Sequence, residues 1–233
     1  MAKYASLIWT LVLSALIIGG LAYWMEAKNA PAEELLVGED ALVGPLALDE
    51  LSVAQPGITN DMNRIALFTT NKGIIEIELF EDLMPITTGN FITLAEDGFY
   101  DNTKFHRVID GFMIQGGDPN SKTDNTTIYG TGGPGYTIDD EFVRDPLLSN
   151  VRGTIAMANT GQPNSGGSQF FINTANNTAL DFDKQPFTSK HAVFGRVIVG
   201  MDVVDAISKT ETGDRDLPVD PVIIESVTIR TQS

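Results

Sequence analysis

The chain has 233 residues, 42% hydrophobic and 20% charged, a balance that supports a packed core and excludes a wholly disordered polypeptide. It has no cysteine and two histidines, which excludes disulfides, thiolate metal sites, cysteine nucleophiles and a histidine-rich metal cluster. With 15 basic against 31 acidic residues the formal charge is −16, a surface that repels phosphate backbones, so no nucleic-acid partner is expected.

Residues 1–25 are expected to form an N-terminal transmembrane anchor. From Ala5 to Met25 the chain runs for 21 residues without a charge, enough to cross a hydrocarbon layer of about 30 Å at about 1.5 Å per residue. Trp9 near one end, and Tyr23 and Trp24 at the other, suit the two membrane interfaces. Lys3 precedes the run, while Glu26, Glu33, Glu34, Glu39 and Asp40 follow it. The positive-inside rule then puts the N-terminus in the cytoplasm and the rest of the chain beyond the membrane. A cleaved signal peptide and a secreted product remain the alternative. Against it stand the length of the run and the lack of small residues at a cleavage site. Residues 26–62 hold eight acidic residues, one Lys and Pro31, Pro45 and Pro56, and read as a semi-flexible acidic linker. The remainder, 63–233, carries 13 basic and 23 acidic residues, a formal charge of −10.

Within 63–233 the pattern turns to short strands. Arg64–Thr70 and Ile74–Phe80 flank Asn71-Lys72-Gly73, a three-residue hairpin loop. In the second run Ile75, Ile77 and Leu79 alternate with Glu76 and Glu78, as one buried face requires. Pro85 suits a first helical turn, the segment to Asp97 carries Phe91, Leu94 and Ala95 at helical spacing, and Gly98 closes it. Further strands are expected at Phe105–Ile109, Phe112–Gln115, Thr154–Ala158, Gln169–Asn173, Ala192–Val199 and Val222–Arg230, with a second helix over Met201–Lys209. Many strands and two helices fit a closed antiparallel barrel capped by helices better than an alternating parallel sheet.

Three motifs fail their context. Gly130-Thr-Gly132-Gly-Pro-Gly135 matches GxGxxG, but Pro134 interrupts it and an extended stretch follows where a helix is needed. Asp118–Asp124 resembles a calcium loop, but Lys122 occupies a ligand position and Tyr129 stands where the bidentate Glu belongs. Neither Ser165 nor Ser168 sits in a GxSxG elbow that His191 might serve as base.

Two segments carry more. They are Phe105-His106-Arg107-Val108-Ile109-Asp110-Gly111-Phe112-Met113-Ile114-Gln115-Gly116-Gly117-Asp118, and Gly153–Asn159 continued by Asn164-Ser-Gly-Gly-Ser168-Gln169-Phe170-Phe171-Ile172. Together with His191-Ala192-Val193-Phe194-Gly195 and Gly200-Met201-Asp202, they resemble the cyclophilin family of peptidyl-prolyl cis/trans isomerases over about 64–230. The resemblance implies an eight-stranded closed antiparallel β-barrel capped by two α-helices, with a substrate groove on its outer surface. It implies catalytic roles for Arg107, Phe112, Gln115 and His191 and substrate contacts from Met113, Ala158, Asn159, Gln169, Phe171 and Leu180. No cofactor or metal is implied, proline-containing polypeptides are the expected partners, and a monomer is expected. In an ideal strand Phe112 and Ile114 face opposite to Met113 and Gln115, whereas the resemblance implies one groove for Phe112, Met113 and Gln115, which requires a bend near Gly111.

Rotation about a peptide bond faces a barrier of about 18–20 kcal/mol, and only proline offers a sizeable cis population. An enzyme for this step needs an apolar socket for the ring and a donor for the prolyl nitrogen as the amide twists, with no covalent intermediate. Phe112, Met113, Phe171, Leu180 and His191 are expected to form that socket, Arg107 to supply the donor, Gln115 to orient it, and the Asn159 backbone to hold the preceding segment extended. A proline-peptide binding module without turnover, or a membrane scaffold, are the other readings. One departure stands out: Ala179 precedes Leu180 where the family commonly has an aromatic, and weak cyclosporin binding is expected unless Phe182 or Phe187 replaces that ring.

Overall fold

A computed structural model describes residues 63–185 and 190–232. The expected anchor and linker lie outside the described residues, and so does Phe187. Among the described residues no helix is long and apolar enough to cross a membrane.

Nine strands form one sheet: β1 Ile65–Thr70, β2 Gly73–Leu79, β3 Thr103–Lys104, β4 Arg107–Ile109, β5 Met113–Gly116, β6 Thr154–Met157, β7 Phe170–Asn173, β8 Val193–Val199 and β9 Ile223–Arg230. Their order is β3-β9-β1-β2-β8-β6-β7-β5-β4, and each adjacent pair is antiparallel. The mainly β class with two helices is therefore found, but the expected closed eight-stranded barrel is corrected to a nine-stranded sheet with β3 and β4 at its ends. The cause is local. Phe105 donates its N–H to Val222 O (2.9 Å) and His106 donates to Gln115 O (3.0 Å), so successive residues turn to opposite partners. The expected strand Phe105–Ile109 is thereby shortened to β4, and the residues just before it, Thr103–Lys104, form β3 on β9 instead.

The β1–β2 hairpin is tighter than expected. Thr70 pairs with Gly73, leaving a two-residue loop. Thr70 Oγ1 accepts from Lys72 N (3.1 Å) and donates to Gly73 O (2.6 Å), which closes the turn one residue early.

Helix α1 spans Pro85–Glu96 with proline in its first turn. The Glu141 carboxylate accepts from Ile86 N (3.1 Å) and Thr87 N (2.9 Å), placing negative charge on two otherwise unpaired donors. At the other end Gly98 has φ +68, Gly98 N donates to Ala95 O (3.0 Å) and Phe99 N donates to Leu94 O (2.9 Å), the double bond pattern of a glycine-terminated helix. Helix α2, Met201–Ser208, follows Gly200.

One face of the sheet encloses the main core. Phe68, Phe91, Tyr100, Phe105, Phe170 and Phe194 are fully buried there. Phe91 lies 5.0 Å from Tyr100, and Phe170 meets Phe68 and Tyr100 edge-on, each at 5.6 Å. A second, smaller apolar cluster comprises Phe80, Met113, Ala156, Phe171 and Val193 on the other face.

Candidate active site

The second cluster follows from strand register. Arg107 pairs with Gln115, Gln115 with Phe171, Phe171 with Ala156, and Ala156 with Val193. Residues opposite one another on adjacent strands project from the same face, so a single row runs from a guanidinium through an amide to an aromatic ring and two small apolar side chains. The next row inward in register, Val108, Ile114, Ile172 and Ile155, is buried in the main core. Residues two positions from the outer row share its face: Met113, Gln169, Ala158 and His191.

A bulge keeps this row intact. Ile155 pairs with Gly195 while Ala156 pairs with Val193, so Phe194 is the extra residue. Phe194 stays in the main core, and Val193 is brought to the outer cluster.

Phe112 reaches the same cluster from outside the strands. Gly111 adopts φ +68, Phe112 N donates to Ile109 O (3.1 Å), and the β4–β5 loop turns so that Phe112 packs with Met113. This is the bend that the sequence requires near Gly111. Leu180 packs on the cluster from a short 3-10 turn, Thr178–Leu180.

His191 closes one side. Its ring meets Phe171 edge-on at 5.2 Å and 82°, and Nδ1 lies 3.0 Å from Met157 O. Burial pushes its pKa down, with the Met157 carbonyl pulling the other way. His106, immediately before Arg107, is 5% exposed and neither ring nitrogen has a hydrogen-bond partner. Burial lowers its pKa too, opposed by the Asp118 carboxylate.

The polar residues are connected differently from expectation. Gln115 Nε2 donates to Gln169 Oε1 (3.0 Å), and Gln169 Nε2 donates to Gly132 O (2.8 Å). Arg107 is instead paired with Asp216, Nε to Oδ2 at 3.1 Å. Asp216 is 109 positions away in the chain, and nothing in its local sequence marks it. The Gly130–Gly135 segment is an irregular surface loop, and its contribution here is the Gly132 carbonyl. Ala158 N donates to Gln169 O (2.9 Å); Asn159 Nδ2 donates to Lys190 O (2.7 Å) and its Oδ1 accepts from Gly161 N (2.9 Å). All ten expected site residues thus fall on one face of the sheet or its bordering loops.

Ala179 is exposed. Phe182 stacks on Phe142, with centroids 5.3 Å apart and planes at 19°, so its ring is engaged outside the socket and does not replace the missing aromatic. Among the described residues no cluster of His, Asp or Glu is arranged to hold a metal.

The class of this antiparallel sheet, with an apolar patch and a guanidinium on one face, is given by comparison with known proteins. Residues 65–229 match the cyclophilin type peptidyl-prolyl cis-trans isomerase/CLD family. A peptidyl-prolyl cis-trans isomerase of Arabidopsis thaliana is 45% identical over 161 residues, covering 69% of this chain and 92% of that protein. Peptidyl-prolyl cis-trans isomerase B of Escherichia coli is 44% identical over 169 residues, covering 70% and 97%. A Cryptosporidium parvum cyclophilin, crystallised in the presence of the dipeptide Ala-Pro, superposes with a TM-score of 0.61 at 32% identity, over 72% of this chain and 99% of that one. The chain belongs to the cyclophilin-type peptidyl-prolyl cis-trans isomerase family. It is an isomerase of X-Pro bonds rather than a binding module alone.

Proposed function

We propose that the outer row of the sheet is the site at which this isomerase twists X-Pro bonds, and that it acts as a membrane-tethered monomer on proteins folding outside the cytoplasm. The register that aligns Arg107, Gln115 and Phe171 carries the proposal, because it sets a cation beside an apolar patch. Phe112, Met113, Phe171 and Leu180 seat the proline ring, with His191 at the rim. Leaving the planar amide frees the prolyl nitrogen lone pair, and the Arg107 guanidinium donates to it. A planar ground-state amide offers no such lone pair, so the hydrogen bond stabilises the twisted transition state selectively.

Gln115 does not hold Arg107 in this arrangement. Through Gln169 and Gly132 it fixes the polar wall along which the chain before proline lies extended, beside the Asn159 backbone. The 21 uncharged residues from Ala5 to Met25 supply the tether.

The decisive experiment is a chymotrypsin-coupled proline-peptide assay of Arg107→Ala. Loss of one transition-state donor is expected to lower kcat/KM about 100-fold with the fold retained; unchanged kcat/KM overturns the role. Membrane fractionation of the full chain tests the tether. Recovery in the soluble fraction as an intact chain overturns it.

A further inference from the structure

Three residues of the socket, Phe112, Leu180 and His191, lie outside strands, so the sheet ladder does not fix their backbones. Each is tied instead to one chain of side-chain amides, two of them buried. Asn177 Nδ2 donates to Phe112 O (2.8 Å) and to Asn173 Oδ1 (2.7 Å). Asn173 Nδ2 donates to Asn150 Oδ1 (3.2 Å) and to Thr154 Oγ1 (2.9 Å). Asn150 Nδ2 donates to Asp181 Oδ1 (2.9 Å) and to His191 O (3.2 Å). The backbone closes the loop: Asn177 N donates to Asn150 O (2.7 Å), Leu180 N to Asn177 O (2.8 Å) and His191 N to Leu180 O (3.1 Å).

The amides donate in one sense, from Asn177 towards the Asp181 carboxylate, so each bond polarises the next. Asn150 and Asn173 are fully buried. A sheet in need of core alone gains nothing from two buried carboxamides, since burying them is costly unless every bond is made. What the chain does is link the backbones of Phe112, Leu180 and His191 to one another.

We propose that Asn177 is a positioning residue of the isomerase, fixing Phe112 and Leu180 on opposite sides of the proline ring through the amide chain Asn177–Asn173–Asn150–Asp181. The inference rests on the socket assignment above. The socket grips the ring in the ground state and the transition state alike, so loosening it weakens uniform binding and raises KM while kcat holds. A residue that only stabilises the fold behaves otherwise: its loss lowers the folded fraction, reducing apparent kcat and leaving KM alone.

The test compares Asn177→Ala and the near-isosteric Asn177→Asp in the full chain with Val204→Ala, which opens space in the core beneath α2. Both Asn177 variants are expected to raise KM about 5- to 10-fold with kcat within about 2-fold of the parent, and Val204→Ala to leave KM unchanged. An unchanged KM with lowered apparent kcat in the Asn177 variants overturns the proposal. Phe112→Ala separates the two layers. If it raises KM and the Asn177 variants do not, the positioning role fails and the socket stands; if it leaves KM unchanged, the socket assignment itself fails.

Discussion

The guanidinium of Arg107 projects from a strand that ends the sheet, with its side chain 42% exposed, and its orientation therefore depends on what surrounds it. Asp216 takes the Nε–H at 3.1 Å, one of five donors on the group, which leaves the terminal N–H groups for the proposed contact with the prolyl nitrogen. An ion pair this exposed contributes at most about 1 kcal/mol to stability. Its consequence is directional. Asp216→Asn, which suits the left-handed backbone at this position (φ 60), is expected to change the melting temperature by less than about 3 °C and to lower kcat by about 2- to 5-fold, a smaller loss than in Arg107→Ala. Calorimetry with the coupled assay checks both, and a kcat equal to the parent shows that Arg107 needs no such support. The family motifs name Arg107, Phe112 and His191 directly. Asp216 and Asn177 are invisible in the sequence, because each acts through a fold-dependent contact with a residue far along the chain.

Among the elements, strands with clean alternation are legible. The run Ile75, Ile77, Leu79 gives β2 within a residue of its bounds, and Pro85 with Gly98 marks both ends of α1. What escapes is pairing. The outer row joins Gln115 to Phe171 and Ala156 to Val193 across long loops, and no local periodicity specifies which strands meet. The β8 bulge is equally hidden, since Val193-Phe194-Gly195 reads as uninterrupted strand. Next to the bulge, Gly195 leaves no room for a side chain: a Cβ there would stand 2.5 Å from Glu78 O and 3.1 Å from Ile155 Cγ2. Gly195→Ala must push β8 away from β2, an overpacking cost of about 1–3 kcal/mol. The melting temperature is expected to fall by about 3–10 °C. Because Val193 opens the displaced strand and His191 lies two residues before it, KM should rise as well. Heat denaturation and the coupled assay measure the two effects, and a fall in stability without a change in KM separates the bulge from the site.

At the scale of the whole molecule, the acidic chain has two distinct ways of losing stability as pH falls. His106 and His191 are held below the ordinary histidine range by burial. In the unfolded chain both bind protons near pH 6.5. The unfolded state therefore takes up more protons as pH drops past that value, and stability decreases from about pH 6.5 downwards, being fully present above it. Glu81 and Asp205 are shifted in the same direction for another reason, hydrogen bonding to Arg64 and Arg152 respectively. Their contribution is present above the ordinary carboxylate range and is lost as pH falls through their lowered values, a separate step at stronger acid. His191 meets Phe171 edge-on, so in the proposed socket its protonation places a cation beside the seat of the proline ring. A melting temperature level above pH 7 and declining from about pH 6.5 is expected, with kcat/KM declining at or below the same point. In His191→Gln the activity decline should be removed while part of the stability decline persists, because His106 still titrates. If the variant keeps the parent's activity profile, His191 protonation has no bearing on the socket and the acid loss belongs to the fold alone.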